Sequence, residues 1–484
     1  MALGIGYGLP FVAQHGTNPY KTQWAAALEG AKGAGATVED ENAGTGSCLV
    51  ARGQDVYTDG LPFTPSLLIV PQFYKAGNLY QDVPPFVAED STMRFTVSRN
   101  TTATRVNSSG LIASVASGVP RIDWLGQSCP GLLVEASGQN LCLQSEDFTT
   151  TWTPTNTTVS GNVTGTTDPA GNNTADQIFE TAVSGIHFLA QTMAIVSGTT
   201  YAGSVFLKKA AGSPDWMQVA FSTTGLAGFA NFNLTSGTVG LTGAGCTGRI
   251  DNYGNGWYRC TLIQTATASG TSGGPIIVFT NNTNPITRFV NYTGNTATSI
   301  YAWGAQLEAG SNATTYIPTT TGTGSRAADV ISASGALVSG LIGQTEGTIY
   351  AEVDVRNWIA SGRILTCSNG TSNERIMIQV GANRTLQAIV TTASADVVDI
   401  STASGQVNGV YKCALTYASG DFAFYVNGTQ IGTDSSGGVP ASTSVFLGKI
   451  GTSASTNFLN DRIRAAALYT TRLSNAQLAE LTRL

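Results

Sequence analysis

Ile349-Tyr350-Ala351-Glu352-Val353-Asp354-Val355 decides the fold class of this chain. Its aliphatic residues, Ile349, Ala351, Val353 and Val355, alternate with Tyr350, Glu352 and Asp354. A period of two buries one face of a strand and wets the other. Toward the C-terminus, runs at 364–367, 375–380, 386–391, 410–417 and 422–426 read as further strands. Asn427-Gly428 follows directly, and both residue types accept the positive φ of a two-residue hairpin turn. A strand at 463–469 precedes one short helix, where Ser474 and Gln477 make a capping box and Leu478 and Leu481 face the core. Toward the N-terminus, short strands are expected at 201–208, 216–222, 229–234, 257–264, 276–280 and 300–307, separated by Gly, Ser and Asn. Many short strands with turn signals between them predict a sandwich or jelly roll.

The expected class is therefore all-β and multidomain, with two β-sandwiches after a mixed, irregular N-terminal region. A jelly roll is expected over 147–325 and a second sandwich over 336–484, joined by the polar linker 319–325. Residues 88–146 read as a connector of short strands and turns. Residues 1–87 differ from the rest: Asn18 would cap a short helix with Pro19 at its first position, and Pro84-Pro85 marks the boundary.

Composition excludes several functions. A chain of 484 residues has room for about three domains. Only 11% of its residues are charged, against about 25% in an average domain. Its formal charge of −6 argues against a nucleic-acid partner, whose binding proteins carry a basic face. Two histidines leave no material for a His-rich metal site. Seven cysteines (Cys48, Cys129, Cys142, Cys246, Cys260, Cys367 and Cys413) are odd in number and contain no CxxC. Free, packed thiols and a reducing compartment are expected, with a Cys246–Cys260 pair the one bridge left open. The opening MALGIGYGLPFVAQHG has no basic start and no continuous apolar run, so neither a secretory signal nor membrane insertion is expected.

Three stretches carry a resemblance. The first is Phe73-Tyr74-Lys75-Ala76-Gly77-Asn78-Leu79-Tyr80. The second includes Thr104-Arg105-Val106-Asn107, Gly118-Val119-Pro120-Arg121-Ile122-Asp123, Gly131-Leu132-Leu133-Val134-Glu135 and Ser145-Glu146-Asp147-Phe148. The third includes Tyr301-Ala302-Trp303-Gly304-Ala305-Gln306-Leu307-Glu308, Tyr316-Ile317-Pro318 and Ser325-Arg326-Ala327-Ala328-Asp329. In this order they resemble the fibre and head-spike proteins of tailed bacteriophages, joined to a carbohydrate-binding-like jelly roll. The region 336–484 resembles a concanavalin A-like, laminin G-type domain, on the strand at 349–355, the hairpin at Asn427-Gly428 and the ending from Asp461 to Leu481. The resemblance implies a virion-surface protein made in the host cytoplasm and bound to capsid or tail through residues 1–87. It implies a homotrimer that adsorbs to host-surface polysaccharide. The alternatives are a purely structural decoration and a polysaccharide depolymerase.

The residues weigh these readings. Glycoside hydrolysis needs two carboxylates about 5 to 10 Å apart. Glu352 and Asp354 share a strand face, but the third position of the Glu-x-Asp-x-x-Glu strand of concanavalin A-like hydrolases is Asn357 here. An outward polar face explains the pair, so no catalytic residue is expected. Asp421 and Asp461 lack the clustered oxygens that Ca²⁺ needs, so no metal or cofactor is expected. Glycan binding needs aromatic platforms and polar side chains for hydroxyls. Trp257 and Trp303 fall in the resembling stretches and are assigned to the core. Trp216 and Trp358, with Asn369, Asn373 and Arg375, are the expected glycan contacts.

Overall fold

The alternating stretch lies in Glu346–Val355, a central strand of a ten-stranded sheet. Its aliphatic residues point into one large core, and Tyr350 points to the other side of the sheet. The structure, a computed structural model, describes residues 37–38, 65–75, 78–82, 95–126, 130–210, 212–221, 225–451 and 457–484. The helix expected from Asn18 and most of region 1–87 lie outside the described residues, as do Cys48 and Cys129.

The chain divides into two units. The first combines the described residues up to Thr102 with Val115–Ser137 and Ala327–Leu484. Here the ten-stranded sheet faces a seven-stranded one across a shared core of Ile349, Val353, Ile376, Ile378, Leu415 and their neighbours. The seven-stranded sheet runs in the order Ala395–Ser401, Thr385–Thr392, Arg375–Gly381, Gly362–Ser368, Ser444–Leu447, Val330–Ser334 and Thr96–Ser98. Asn427 and Gly428 take φ of 50° and 78° between paired Val426 and Thr429, the two-residue hairpin that the sequence predicts. The helix Asn475–Leu481 begins at the expected capping box. Its Leu478 and Leu481 are buried over Tyr350, Ala414 and Ala467, on the side of the ten-stranded sheet away from the main core. Burial of each leucine contributes about 1.5–3 kcal/mol.

The second unit comprises Ala103–Ser114 and Gly138–Arg326. Two six-stranded sheets enclose a core that includes Val205, Leu207, Met217, Val219, Leu262 and Leu307. The strands Thr200–Lys209, Trp216–Phe221, Phe229–Asn233, Trp257–Thr265, Pro275–Phe279 and Ser299–Ala309 stand where alternation places them. Gly304 interrupts the last of these with φ of 62°, and a Cβ there would meet the Phe206 ring at 2.8 Å. Trp257 and Trp303 are buried, as their positions imply. Cys246 and Cys260 are free, Cys246 opposite Gln264 and Cys260 opposite Ile250 on adjacent strands.

The strands of 88–146 are shared between the units. Thr96–Ser98 closes one edge of the seven-stranded sheet, while Arg121–Asp123 and Gly131–Val134 extend the ten-stranded one. Gly138–Asn140 pairs with Gly324–Arg326 in the second unit. The reason is ionic as well as apolar. Arg121 and Glu135 meet Asp329 and Arg99 in one buried cluster of the first unit. Arg99 Nη1 lies 2.8 Å from Asp329, Arg121 Nη1 lies 2.7 Å from Glu135, and Arg121 Nη2 closes on the second Asp329 oxygen. Among the described residues, these two cations and two anions offset one another away from water, the condition under which buried charges are tolerated.

Candidate functional site

The geometry of Gly362–Ser368 sets up the site. Strict alternation would put Arg363 on the same side as Leu365 and Cys367, both of which belong to the core. A bulge intervenes: Arg363 pairs with Gln379, and Leu365 pairs with the next residue, Ile378. The extra residue lets Ile364 and Leu365 both face inward. Arg363 and Thr366 consequently share the sheet face turned away from the core, beside Met377 and Gln379 of Arg375–Gly381.

On this face the polar groups are buried and incompletely partnered. Arg363 is 7% exposed, Gln379 4% and Thr366 0%. Arg363 Nε and Nη1, Thr366 Oγ1 and Gln379 Oε1 have no hydrogen-bond partner. Burial, reinforced by the nearby Arg375 guanidinium and opposed by Asp396, pulls Arg363 down to about 10. A buried polar atom without a partner costs about 1–3 kcal/mol, so a cluster of them asks for an occupant.

The neighbouring polar groups show why these atoms stay open. Asp399 can only accept, and Ser401 Oγ donates to it at 3.3 Å. Gln387 Nε2 donates to Ser401 Oγ at 2.9 Å, and Gln379 Nε2 donates to Gln387 Oε1 at 2.7 Å. The relay runs in one direction and leaves the Gln379 carbonyl oxygen free to accept. Arg375 is tied separately, by Nε to Thr391 Oγ1 at 2.9 Å and by Nη2 to Asp396 at 3.3 Å. Both aspartates on this face thus make their hydrogen bonds with groups other than Arg363, and Asp396 reaches Arg363 only through its charge.

The expected contacts fall in several places. Arg375 lies on the face just described. Asn369 and Asn373 lie in the exposed loop beyond Ser368, where Asn369 Oδ1 accepts from the Thr371 amide at 3.0 Å. Trp358 lies beyond the other end of Gly362–Ser368, a strand that spans about 23 Å at 3.3 Å per residue. It is half-buried against the core, with its indole N–H on Asn408 at 3.0 Å and its ring edge-on to Tyr411. Trp216 belongs to the second unit and is half-buried at the head of its strand. Next to it, the outward Gln218 and Asn231 are satisfied by the chain's own loop. Gln218 Nε2 reaches Thr287 O at 3.2 Å, Asn231 Nδ2 reaches Pro285 O at 2.7 Å, and the Phe289 amide donates to Gln218 Oε1 at 3.1 Å. That sheet face covers itself, whereas the face with Arg363 does not complete its hydrogen bonds.

The other candidates are structural. Glu352 is paired with Arg464 at 3.2 Å and Asp354 with Arg356 at 2.9 Å, so the two carboxylates, expected on an outward polar face, are buried and capped by arginines. Asp461 accepts the amides of Arg356 and Asn357 at 2.9 and 2.6 Å. Asn357 Nδ2 donates to Asn460 O at 2.7 Å. Asp421 is paired with Arg472. No group of three or more acidic, Cys or His side chains converges at metal-binding distance among the described residues.

Residues 329–479 match the family described as the Concanavalin A-like lectin/glucanases superfamily, Laminin_G_3. The match begins ahead of the strand Val330–Ser334, which belongs to the seven-stranded sheet. No curated protein matches the chain. Similar solved structures include the CBM40 of the Ruminococcus gnavus IT-sialidase, at 15% identity over 29% of this chain and 85% of that one, with a TM-score of 0.27. Domain 4 of AbnA, a GH43 extracellular arabinanase from Geobacillus stearothermophilus, is 15% identical over 36% of this chain and 82% of that one, with a TM-score of 0.27. A heptameric SAP-like pentraxin from Limulus polyphemus is 18% identical over 28% of this chain and 68% of that one, with a TM-score of 0.22. The family match takes in strands of both sheets of the first unit's sandwich, and residues 329–479 form a concanavalin A-like domain.

Proposed function

We propose that this chain is a non-catalytic glycan-binding protein, and that its concanavalin A-like domain holds saccharide on the outer face of the seven-stranded sheet. One observation carries the reading: four buried side-chain atoms of Arg363, Thr366 and Gln379 stand unpartnered on one face of a lectin-type sandwich. Sugar hydroxyls both donate and accept, so a single saccharide ring satisfies a guanidinium, a hydroxyl and an amide oxygen together. Arg375, at the rim, adds a second cation.

The finer reading places the chain on a phage particle, as a fibre or spike protomer that adsorbs to host-surface polysaccharide. In that setting the N-terminal region joins capsid or tail, the protomers form trimers, and several weak sites on one particle raise avidity. The sequence resemblance supports this placement. A native mass measurement that finds only monomer in the assembled particle overturns the trimer.

The test uses the purified full chain and a glycan array, with release of reducing ends followed in the same solution. Binding that falls with Arg363→Ala and Gln379→Ala, without new reducing ends, supports the proposal. Absence of binding to any glycan, while whole particles adsorb to host cells, overturns it in favour of a structural decoration. New reducing ends overturn the non-catalytic part.

A further inference from the structure

We infer that the saccharide held on this face is an acidic one, whose carboxylate pairs with Arg363. This rests on the glycan-binding reading and narrows it to a chemical class. A neutral sugar can accept the Arg363 N–H groups but leaves the buried positive charge only partly compensated, by Asp396. Burial and the facing Arg375 both disfavour that charge. Asp396 offsets that only in part, because its hydrogen bonds go to Arg375 and Thr391, and Asp399 anchors the relay through Ser401. A ligand carboxylate supplies the missing charge, and the planar guanidinium accommodates two carboxylate oxygens at once.

The remaining open atoms separate a sugar acid from a bare anion. Gln379 Oε1 can only accept, since the relay fixes its amide with Nε2 toward Gln387. It therefore requires a donor on the ligand, and Thr366 Oγ1 beside it accepts or donates. A carboxylate with a hydroxyl on the same ring provides both an anion for Arg363 and a donor for Gln379. Sulfate provides no donor. The chemical class is a uronic or sialic acid residue within a glycan.

The test compares oligogalacturonate and sialyllactose with the same glycans after reduction of their carboxyl groups to alcohols, using the full chain in isothermal titration. At least one acidic glycan is expected to bind, with affinity falling about tenfold or more on carboxyl reduction. Binding should weaken comparably in Arg363→Gln. Gln379→Glu places a carboxylate beside Arg363 from within the protein. It should raise the melting temperature and abolish acidic-glycan binding, so loss of binding with a gain in stability excludes misfolding as the cause. Equal binding of the intact and reduced forms overturns this inference and leaves the glycan-binding proposal standing. Failure of every acidic and neutral glycan on the array to bind overturns both. Binding of free sulfate that matches the acidic glycans would also overturn the assignment to a sugar acid.

Discussion

Asp329→Ala should be among the most destabilising single substitutions in the first unit. The Asp329 carboxylate is 1% exposed and receives Arg99 Nη1 at 2.8 Å, both Arg121 Nε and Nη2, and the Glu135 amide at 3.0 Å. Its removal takes from Arg99 and Arg121 the carboxylate they share, leaving Glu135 beside Arg121 among the described residues, and takes from the Glu135 amide the acceptor at 3.0 Å. Breaking a buried pair from one side costs about 3–5 kcal/mol, and the orphaned amide adds about 1–3. Partial relaxation offsets some of this, so a loss of about 4–6 kcal/mol is expected. The two arginines respond differently to their surroundings. Burial pulls Arg121 down, but Asp329 and Glu135 more than reverse that, and it titrates above its ordinary value. For Arg99 burial outweighs Asp329, and it titrates below. Arg99 is therefore the group left worst off. Calorimetry of the full chain should show the first unit melting about 10–20 °C lower, at about 2–4 °C per kcal/mol for a unit of this size. Hydrogen exchange should rise along Arg121–Asp123, Gly131–Val134 and Val330–Ser334. A double-mutant cycle of Asp329→Ala with Arg121→Ala should give a coupling above about 1 kcal/mol. A loss below about 1 kcal/mol, or additivity in the cycle, would refute the argument that this cluster fastens the strands of 88–146 to the sandwich.

Arg363→Met should stabilise the protein by about 1–3 kcal/mol in urea unfolding at pH 7, since lowering the guanidinium from its ordinary value to about 10 reflects a burial cost of that order. Above about pH 10 and up to the ordinary arginine value, the unfolded chain keeps the proton that the folded one has lost, so this group's contribution rises with pH there, and the variant should lack that rise. A destabilised variant would refute the net cost of burying this charge. Glu308 is raised above its ordinary 4.5, chiefly by burial. Its folded form binds the proton first, so its contribution to second-unit stability grows as pH falls through the raised value toward 4.5, and Glu308→Gln should flatten that dependence. Absence of any change in the pH–stability curve would contradict it. Glu352→Gln with Asp354→Asn should lower the melting temperature by unpairing Arg464 and Arg356, while titration shows glycan affinity within about twofold of the parent.

Much of the fold was legible because period-two alternation and turn residues report directly on burial. The strands flanking Asn427-Gly428 and the capping box at Ser474 depend on local chemistry alone, and they appear where that chemistry puts them. The resembling stretches were legible as sequence but not as structure. Asn140, in the stretch that ends at Phe148, bridges Ala305 O at 3.0 Å and Ile317 O at 2.9 Å with its Nδ2. Its Oδ1 accepts the amides of Cys142 and Leu307. Arg121 and Glu135 come from the second stretch and Asp329 from the third, and together they close one ionic cluster. These residues hold the fold together, and their long sequence separations hid that role. The exposed-aromatic criterion pointed to Trp216 and Trp358, whose indoles are half-buried by packing that depends on residues far along the chain.

The site itself was hidden by a shift of phase. Arg363 stands two residues before Leu365 and four before Cys367, so a strictly alternating strand would bury it in the core beside them. An arginine there would have demanded a buried carboxylate, and none lies in that stretch. The bulge after Arg363 resolves the conflict by turning the guanidinium to the outer face, next to Gln379. Once there it meets a surface whose acids are already committed and whose amide relay presents an acceptor rather than a charge. A strand that served only to close the sandwich would lose nothing by carrying an apolar residue at 363, and would gain the burial free energy that the guanidinium forfeits. Arg363 is thus costly to the fold in the absence of a ligand, and an anion arriving at this face recovers that cost as binding free energy.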